Sequence, residues 1–513
     1  MKAKTLLSIL AISAVSLAWA GKPFSPTWES LKNVNNEPEW FKDAKLGIYT
    51  HWGPVSLAFV HMEGKQHLPG WHGMYMYHDK GQIDWKTGKS RTAGQPAASY
   101  LYHKEHFGEP SEFGYKNFIK AFDPSGFDAV EWAELFEASG AQFAGPVAMH
   151  HDNFAMWDAK STRWNVMNYG GVDVSGELKR EIEKRGMKYM GSFHHAFTWM
   201  YFAEAHRHGV DPADYDLFTD NDDINNHTTS ERFNREWWAK LKEFIDVYQP
   251  DLLWFDWWLE NMDEELRRKF LAYYYNKGAE WGKDVAIAYK ETTFPEFSAI
   301  RDYERGRPNQ PKEQAWLTDT SPGAWFHRAN AKFVEPNEIV DILIDITSKN
   351  GCMLLNVPPD PDGSIPAEMK HLLLELGGWL DVNGEAIYKT RPWTIFGEGP
   401  TRLAASGHKN EKKGILYTDK DIRFTKGEGD DFYAIVMAKP EGDIHIRTLA
   451  SGLGVLNLDI QDITLLGSKE KIKWERTYDS LVIKQPKKLP TDYAHAFKFS
   501  IKSYKELGIG GDE

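Results

Sequence analysis

Short apolar runs alternate with helical stretches from about residue 40 to about residue 390 of this chain. The runs span 46–50, 142–149, 188–193, 251–255, 285–289 and 353–357. The stretches 127–139, 175–185, 231–248, 263–277, 335–348 and 366–382 carry apolar residues at the spacing of one helix face. In 127–139 these are Ala129, Val130, Ala133, Leu135 and Phe136. The stretch 366–382 opens on Pro366 and stops near Asn383-Gly384, ordinary helix start and stop signals. Strand then helix, repeated, predicts an α/β architecture with a parallel sheet. About 350 residues of such units exceed what most doubly wound sheets need, so a (β/α)8-like, TIM-type barrel is the expected form.

After Pro392 the pattern changes. Short alternating runs lie at 421–425, 432–437, 443–449, 460–467, 471–476, 481–485 and 494–500, separated by turns such as Gly427-Glu428-Gly429-Asp430. They predict a C-terminal antiparallel β-sandwich over 393–513, behind a barrel domain over 21–392. Residues 1–20 read as a secretory signal peptide. Lys2 and Lys4 give a positive start, Leu6 to Leu17 an apolar core, and Ala18-Trp19-Ala20 a small-x-small cleavage site before Gly21. The apolar run is shorter than the ~20 residues of a membrane span. The expectation is export to the periplasm or the medium, with no membrane partner.

Cys352 is the single cysteine, so no intramolecular disulfide forms. It sits in an apolar run and is expected to be a buried core thiol. Lys and Arg number 61 against 74 Asp and Glu, a formal net charge of −13. That balance lacks the basic footprint of a nucleic-acid binder.

The residues after each run carry the chemistry. The first five runs lead into His51-Trp52-Gly53, His150-His151-Asp152, His194-His195, Asp256-Trp257-Trp258 and Lys290-Glu291. In a (β/α) barrel the C-terminal strand ends meet on one face, and that face carries the active site. Trp52, Trp71, Trp257, Trp258 and Trp325 are expected near this mouth, whereas Trp132 and Trp379, on helices, are expected in the core. Aromatic rings stack on the C–H faces of sugars and histidines read hydroxyls, so a carbohydrate ligand fits. A metal is not expected: zinc needs three ligands in close array, and neighbouring histidines after a strand should diverge.

Glycoside hydrolysis uses two carboxyl groups across the scissile bond. Asp256 ends the most apolar run, Asp251-Leu252-Leu253-Trp254-Phe255, and is the candidate nucleophile. Glu291, Glu296 and Glu304 follow the next run as candidate proton donors, and the residues alone do not choose among them.

These pieces together resemble the α-L-fucosidases of glycoside hydrolase family 29. The segment from Pro38-Glu39-Trp40 to His51-Trp52-Gly53 is similar to the family's opening strand. Phe122-Asp123, Trp132-Ala133, Ser139-Gly140-Ala141 and His150-His151-Asp152-Asn153 through Trp157 are similar to its second block. Tyr248-Gln249-Pro250 through Asp256 resembles the nucleophile strand, and Asn350-Gly351 to Pro361-Asp362-Gly363 and Trp379-Leu380 to Tyr388 match later signatures.

The resemblance implies an exo-acting, retaining hydrolase of terminal α-L-fucosyl residues on oligosaccharides or polysaccharides, with no metal or organic cofactor. It implies Asp256 as nucleophile, His51, His150, His151 and His194 as ligands of the fucose hydroxyls, and Trp71 as a sugar contact. Trp52, Trp257 and Trp325 join them as substrate-binding candidates by position. Tyr303-Glu304-Arg305-Gly306, upstream of Trp316-Leu317-Thr318-Asp319-Thr320, resembles a block of one subgroup and favours Glu304 as acid/base, with Glu291 second. Where the family has Glu-Trp-Tyr, this chain reads Gly70-Trp71-His72; Met149 and Asn153 are further departures. Two other readings stand beside this one. One is a non-catalytic fucose-binding protein on the same barrel. The other is an exo-glycosidase with altered sugar preference, for β-galactosides or sulfated fucose.

Overall fold

The computed structural model describes residues 23–59, 70–402, 409, 415–453 and 458–502; the expected signal segment lies outside them. Eight strands run parallel: β1 (Leu46–Thr50), β2 (Phe143–Met149), β3 (Lys188–Phe193), β4 (Leu252–Phe255), β5 (Ala286–Tyr289), β6 (Ile300–Arg301), β7 (Trp316–Thr320) and β8 (Gly351–Asn356). Their order is β6-β5-β4-β3-β2-β1-β8-β7, and a parallel bridge from Asp302 to Leu317 brings the two end strands together. This is the expected barrel. Two of its strands, β6 and β7, had no counterpart among the apolar runs.

Alternation along each strand sorts the side chains. Tyr49, Val147, Trp254, Ala288, Leu317 and Leu354 fill the barrel interior. Their neighbours Ile48, Leu253, Phe255, Ile287 and Leu355 pack under the surrounding helices. Cys352 is buried in the interior cluster, donates its thiol to Phe41 O at 3.1 Å, and burial pushes its pKa up to about 11. Trp132 and Trp379 are buried as expected.

The helices form where the sequence provides caps. Asp128 accepts from Val130 N and Glu131 N ahead of the helix Ala129–Ala138. Ser230 caps Glu231–Tyr248 through Phe233 N, and Asp263 caps Glu264–Trp281 through Leu266 N. Each such cap is worth about 1 kcal/mol. The filled interior closes the barrel below its mouth, which leaves the C-terminal strand ends as the face that offers space to a ligand.

Beyond the barrel, β9 (Arg391–Glu398), β10 (Ile422–Lys426), β11 (Phe432–Val436), β12 (Ile444–Ile446), β13 (Ile460–Leu465), β14 (Trp474–Arg476), β15 (Leu481–Ile483) and β16 (His495–Ile501) form two antiparallel sheets. Trp393, Phe432 and Phe499 stack in series between them, at 4.5 and 4.7 Å between ring centroids. β9 begins at Arg391, which pairs with Lys426, so the second module's sheet already includes the last residues of the 21–392 segment.

One buried ion cluster ties the two modules. Asp345, fully buried on the helix before β8, meets Arg307 Nε at 2.9 Å, Lys349 Nζ at 2.8 Å and Arg423 Nε of β10 at 2.7 Å. Trp379 Nε1 donates to Ala494 O at 2.8 Å, and Tyr433 OH donates to Glu385 at 2.8 Å. These contacts give the second module a packing role against the barrel.

Candidate active site

A cavity of about 1290 Å³ opens at the C-terminal strand ends. Its walls include His51 after β1, His150 and His151 after β2, His194 after β3, Asp256 and Trp257 after β4, and Lys290 and Glu291 after β5. Trp71, Glu304 and Trp325 line it too. The convergence expected from five separate runs is therefore present in one place.

Asp256 sits at its centre, 5% exposed. His194 Nδ1 donates to Asp256 Oδ2 at 2.9 Å, and Lys290 Nζ lies 3.1 Å from Oδ1. Burial alone raises a carboxyl pKa, but here Lys290 and His194 outweigh it and hold Asp256 well below the usual range. The carboxylate is thus ionised and orientated, as a nucleophile needs.

Lys290 is the hub. Its ammonium also lies 3.0 Å from Asp319 Oδ2 and 3.4 Å from Glu304 Oε2, over the face of Trp254 at 4.8 Å. Burial works against its charge, but Asp256, Asp319 and Glu304 hold it well above the ordinary lysine value. Tyr49 OH donates to Asp319 at 3.0 Å. Asp302 is pushed well up by burial and by Asp319; it accepts from Asp319 N at 2.9 Å and from Trp254 Nε1 at 3.1 Å.

The histidines are set as neutral readers of hydroxyls. Asn356 Nδ2 donates to Ser321 Oγ and Trp325 O, which turns its Oδ1 towards His51. His51 Nδ1 therefore donates to Asn356 Oδ1 at 2.8 Å, leaving Nε2 as an acceptor. His151 Nδ1 donates to His194 O at 2.8 Å, and its Nε2 lies 3.5 Å from Asp256 Oδ2. Burial lowers His51 and His150 well below the ordinary imidazole value and His151 to about 3.

His150 and His151 do not diverge; their ring centroids are 4.3 Å apart and both line the cavity. The expected divergence holds only for the next pair, where His195 turns away and stacks on Trp237. In consequence His51, His150 and His194 offer ligand atoms within 4.8 Å of one another, as do His151, His194 and Asp256. Imidazoles in such an array are able to hold a divalent transition ion.

Trp52 is a correction. It follows His51 and so points to the opposite side, stacking on Phe127 at 5.7 Å and donating Nε1 to Pro361 O at 3.1 Å. It is a core residue outside the cavity. Trp258 is likewise fully buried. Trp71 and Trp257 do line the cavity, 6.2 Å apart and nearly parallel, and Trp85 extends the stack at 4.6 Å from Trp257.

The candidate acids separate by position. Glu304 is 15% exposed and joined to Asp256 through Lys290. Glu291 lies at the rim, 43% exposed and 4.0 Å from Lys86. Glu296 pairs with Arg301 outside the cavity. Gly70, where the resembling family has Glu, has φ +91°, and a Cβ there would meet the Phe326 ring at 3.0 Å. Phe326 and His150 hold the space beside Gly70.

Lys290, Asp319, Trp85 and Phe326 were not among the expected site residues. Lys290 had the right signal, since it ends a strand. Asp319 lies in β7, whose run was not read as a strand.

The family model described as Alpha-L-fucosidase matches residues 11–385, and that described as Alpha-L-fucosidase C-terminal domain matches 416–500. The chain is 28% identical to the tissue alpha-L-fucosidase of Rattus norvegicus, over 91% of this chain and 90% of that one. It is 27% identical to the alpha-L-fucosidase of Dictyostelium discoideum, over 92% and 93%. The crystal structure of Thermotoga maritima alpha-fucosidase in complex with fucose shares the fold, with a TM-score of 0.68 at 24% identity over 93% of this chain and 100% of that one. A family match over well more than half its length, on a barrel whose strand ends converge on Asp256, makes this chain a member of the alpha-L-fucosidase family.

Proposed function

We propose that this glycoside hydrolase of fucosyl residues is an exported, exo-acting, retaining α-L-fucosidase, with Asp256 as nucleophile and Glu304 as acid/base. The observation that carries the reading is the Lys290 bridge. Nζ lies 3.1 Å from Asp256 Oδ1 and 3.4 Å from Glu304 Oε2, so these oxygens are at most about 6.5 Å apart. Retaining glycosidases hold their carboxyl groups about 5–5.5 Å apart and inverting ones about 6.5–9.5 Å, so the bound favours retention.

In this reading fucose enters the closed-bottomed cavity as a chain end. The acceptor nitrogens of His51 and His151 accept hydrogen bonds from its hydroxyls, and Trp71 packs on its C–H face. Asp256 attacks the anomeric carbon while Glu304 protonates the departing oxygen; Glu304 then removes a proton from water, which releases fucose. The supports are the ionised, buried Asp256 and the second carboxyl beside it. Residues 1–20 are read as the export signal.

The test is hydrolysis of an aryl α-L-fucoside followed by NMR. Wild type should release the α-anomer first, and Asp256→Asn should be inactive. Turnover by Asp256→Asn, or first release of the β-anomer, sinks the mechanism. Preference for another glycoside in a nitrophenyl panel sinks the sugar assignment. For export, the N-terminal residue of protein recovered outside the cytoplasm should be Gly21.

A further inference from the structure

The rim of the cavity is cationic in a chain with an excess of acid. Beyond the floor set of Lys290, Asp256, Glu304 and Asp319, the lining among the described residues holds Lys86, Arg91, Arg305, Arg328, Lys332 and Lys409 against one carboxylate, Glu291. The whole chain has 74 acidic and 61 basic residues, so the rim reverses the balance of the sequence.

These cations come from three separate parts of the chain. Lys86 and Arg91 lie in the loop after the helix His72–Tyr75; Arg305, Arg328 and Lys332 flank β7; Lys409 comes from the segment between β9 and β10. Several keep charge to offer. Lys332 is exposed and has no ion-pair partner among the described residues. Lys86 is 59% exposed, with Glu291 no nearer than 4.0 Å. Lys409 is 71% exposed, 3.8 Å from Glu304. Arg305 donates to Gly323 O at 2.7 Å and lies over Trp325 at 4.6 Å. Arg91, by contrast, is held by Asp84.

Their position relative to Glu304 says which part of a substrate they meet. Arg305 follows Glu304 in sequence and Lys409 touches its carboxyl, so this rim borders the leaving-group side of the reaction centre. Converging charges of one sign over low-dielectric walls focus the field at a cleft mouth and raise the local concentration of the opposite charge.

We propose that this rim is a subsite for anionic groups, sulfate esters or carboxylates, on the sugars next to the terminal fucose, so that the preferred substrates are fucosylated anionic glycans. The proposal rests on the fucosidase reading and adds the substrate class.

The test uses three oligosaccharides with the same terminal α-L-fucosyl group, carrying a neutral, a sulfated or a uronic-acid sugar next to it. kcat/KM is measured at low and at high salt for the full-length protein and for the double variant Lys86→Gln, Lys332→Gln. At low salt at least one anionic substrate should exceed the neutral one by about 10-fold or more. The ratio should shrink at high salt and in the double variant. Which arm responds identifies sulfate ester or carboxylate. A ratio at or below one for both arms at low salt overturns the proposal, as does a ratio indifferent to both salt and the double variant. Calorimetric binding of the defucosylated sulfated and uronic oligosaccharides separates the two readings. If no fucoside is cleaved, the fucosidase reading fails, and the rim proposal then stands or falls on salt-sensitive binding of these anions alone.

Discussion

Lys290 Nζ lies 3.1 Å from Asp256 Oδ1, both side chains are 6% exposed, and after burial this lysine is the largest influence on the carboxylate. The pair sets the protonation of the nucleophile. Lys290→Met should therefore raise the Asp256 pKa, because burial then dominates. A nucleophile with a raised pKa loses its charge at a higher pH, so the acid limb of the kcat/KM profile should move up. The loss at the optimum should be about 10²-fold, typical of removing one buried electrostatic partner. A pH–rate profile for an aryl fucoside checks this; an unmoved acid limb refutes the assignment to Lys290.

Glu304 and Glu291 are told apart by leaving-group dependence. An acid is needed most when the departing alkoxide is basic, so Glu304→Ala should cost a natural-type fucosyl oligosaccharide about 10²–10⁴-fold and an activated nitrophenyl fucoside far less. Azide should rescue the activated substrate. Glu291, at the rim beside Lys86, should show neither pattern when changed to Ala. The reverse result moves the acid/base to Glu291.

The ring nitrogens of His51, His150 and His194 lie close enough together to ligate a divalent transition ion, yet the proposed displacement uses no such ion. Dialysis against a chelator should leave turnover unchanged. Added zinc should inhibit in competition with fucose, because it would take the ring nitrogens that read the sugar hydroxyls. Activity lost on chelation and restored by one metal would contradict the metal-free mechanism.

Much of this site was legible in the chain because barrels put chemistry at strand ends. His51, His150, His194 and Asp256 each follow an apolar run directly, His151 comes one residue later, and the structure gathers them. Trp52 misled for the same reason: the two-residue alternation that turns His51 inward turns Trp52 outward. What stayed hidden depends on pairings between distant segments. β6 has two residues and so no periodicity to read. Asp319 matters only because β7 brings it to Lys290, and Lys409 reaches Glu304 from the segment beyond β9. The seven later runs were read as strands, but β9 was not, since Arg391–Glu398 alternates poorly in burial.

Asp345 should be the most sensitive residue outside the cavity. It is fully buried and neutralises parts of Arg307, Lys349 and Arg423, the last belonging to the second module. Asp345→Asn leaves those buried cations without their countercharge, and breaking a buried ion network by removing one partner costs about 3–5 kcal/mol. Denaturant unfolding followed by intrinsic tryptophan fluorescence should show the loss. A change under about 1 kcal/mol would mean that the cluster is solvated or replaceable.

Acid should destabilise the fold before it reaches ordinary carboxylate values. His78, His103 and His495 are lowered to about 4 and His151 to about 3, each chiefly by burial. The unfolded chain binds protons at these sites near pH 6.5, the folded chain only near their lowered values. Between those limits the unfolded state holds more protons, so stability rises with pH through this window and is lost as pH falls. Asp152, raised to about 6, Asp341, raised to about 8, and Asp302, Glu260 and Glu37, raised likewise, all chiefly by burial, work in the opposite sense: they stabilise at low pH and lose that contribution as pH rises through their folded values. With His51, His150 and His195 on the same side, the histidines outnumber them. The urea midpoint should therefore be lower at about pH 5 than at about pH 7. His495→Gln, which removes one of these protonation sites, should reduce that difference; an equal or higher midpoint at the lower pH would show that the raised carboxyls dominate.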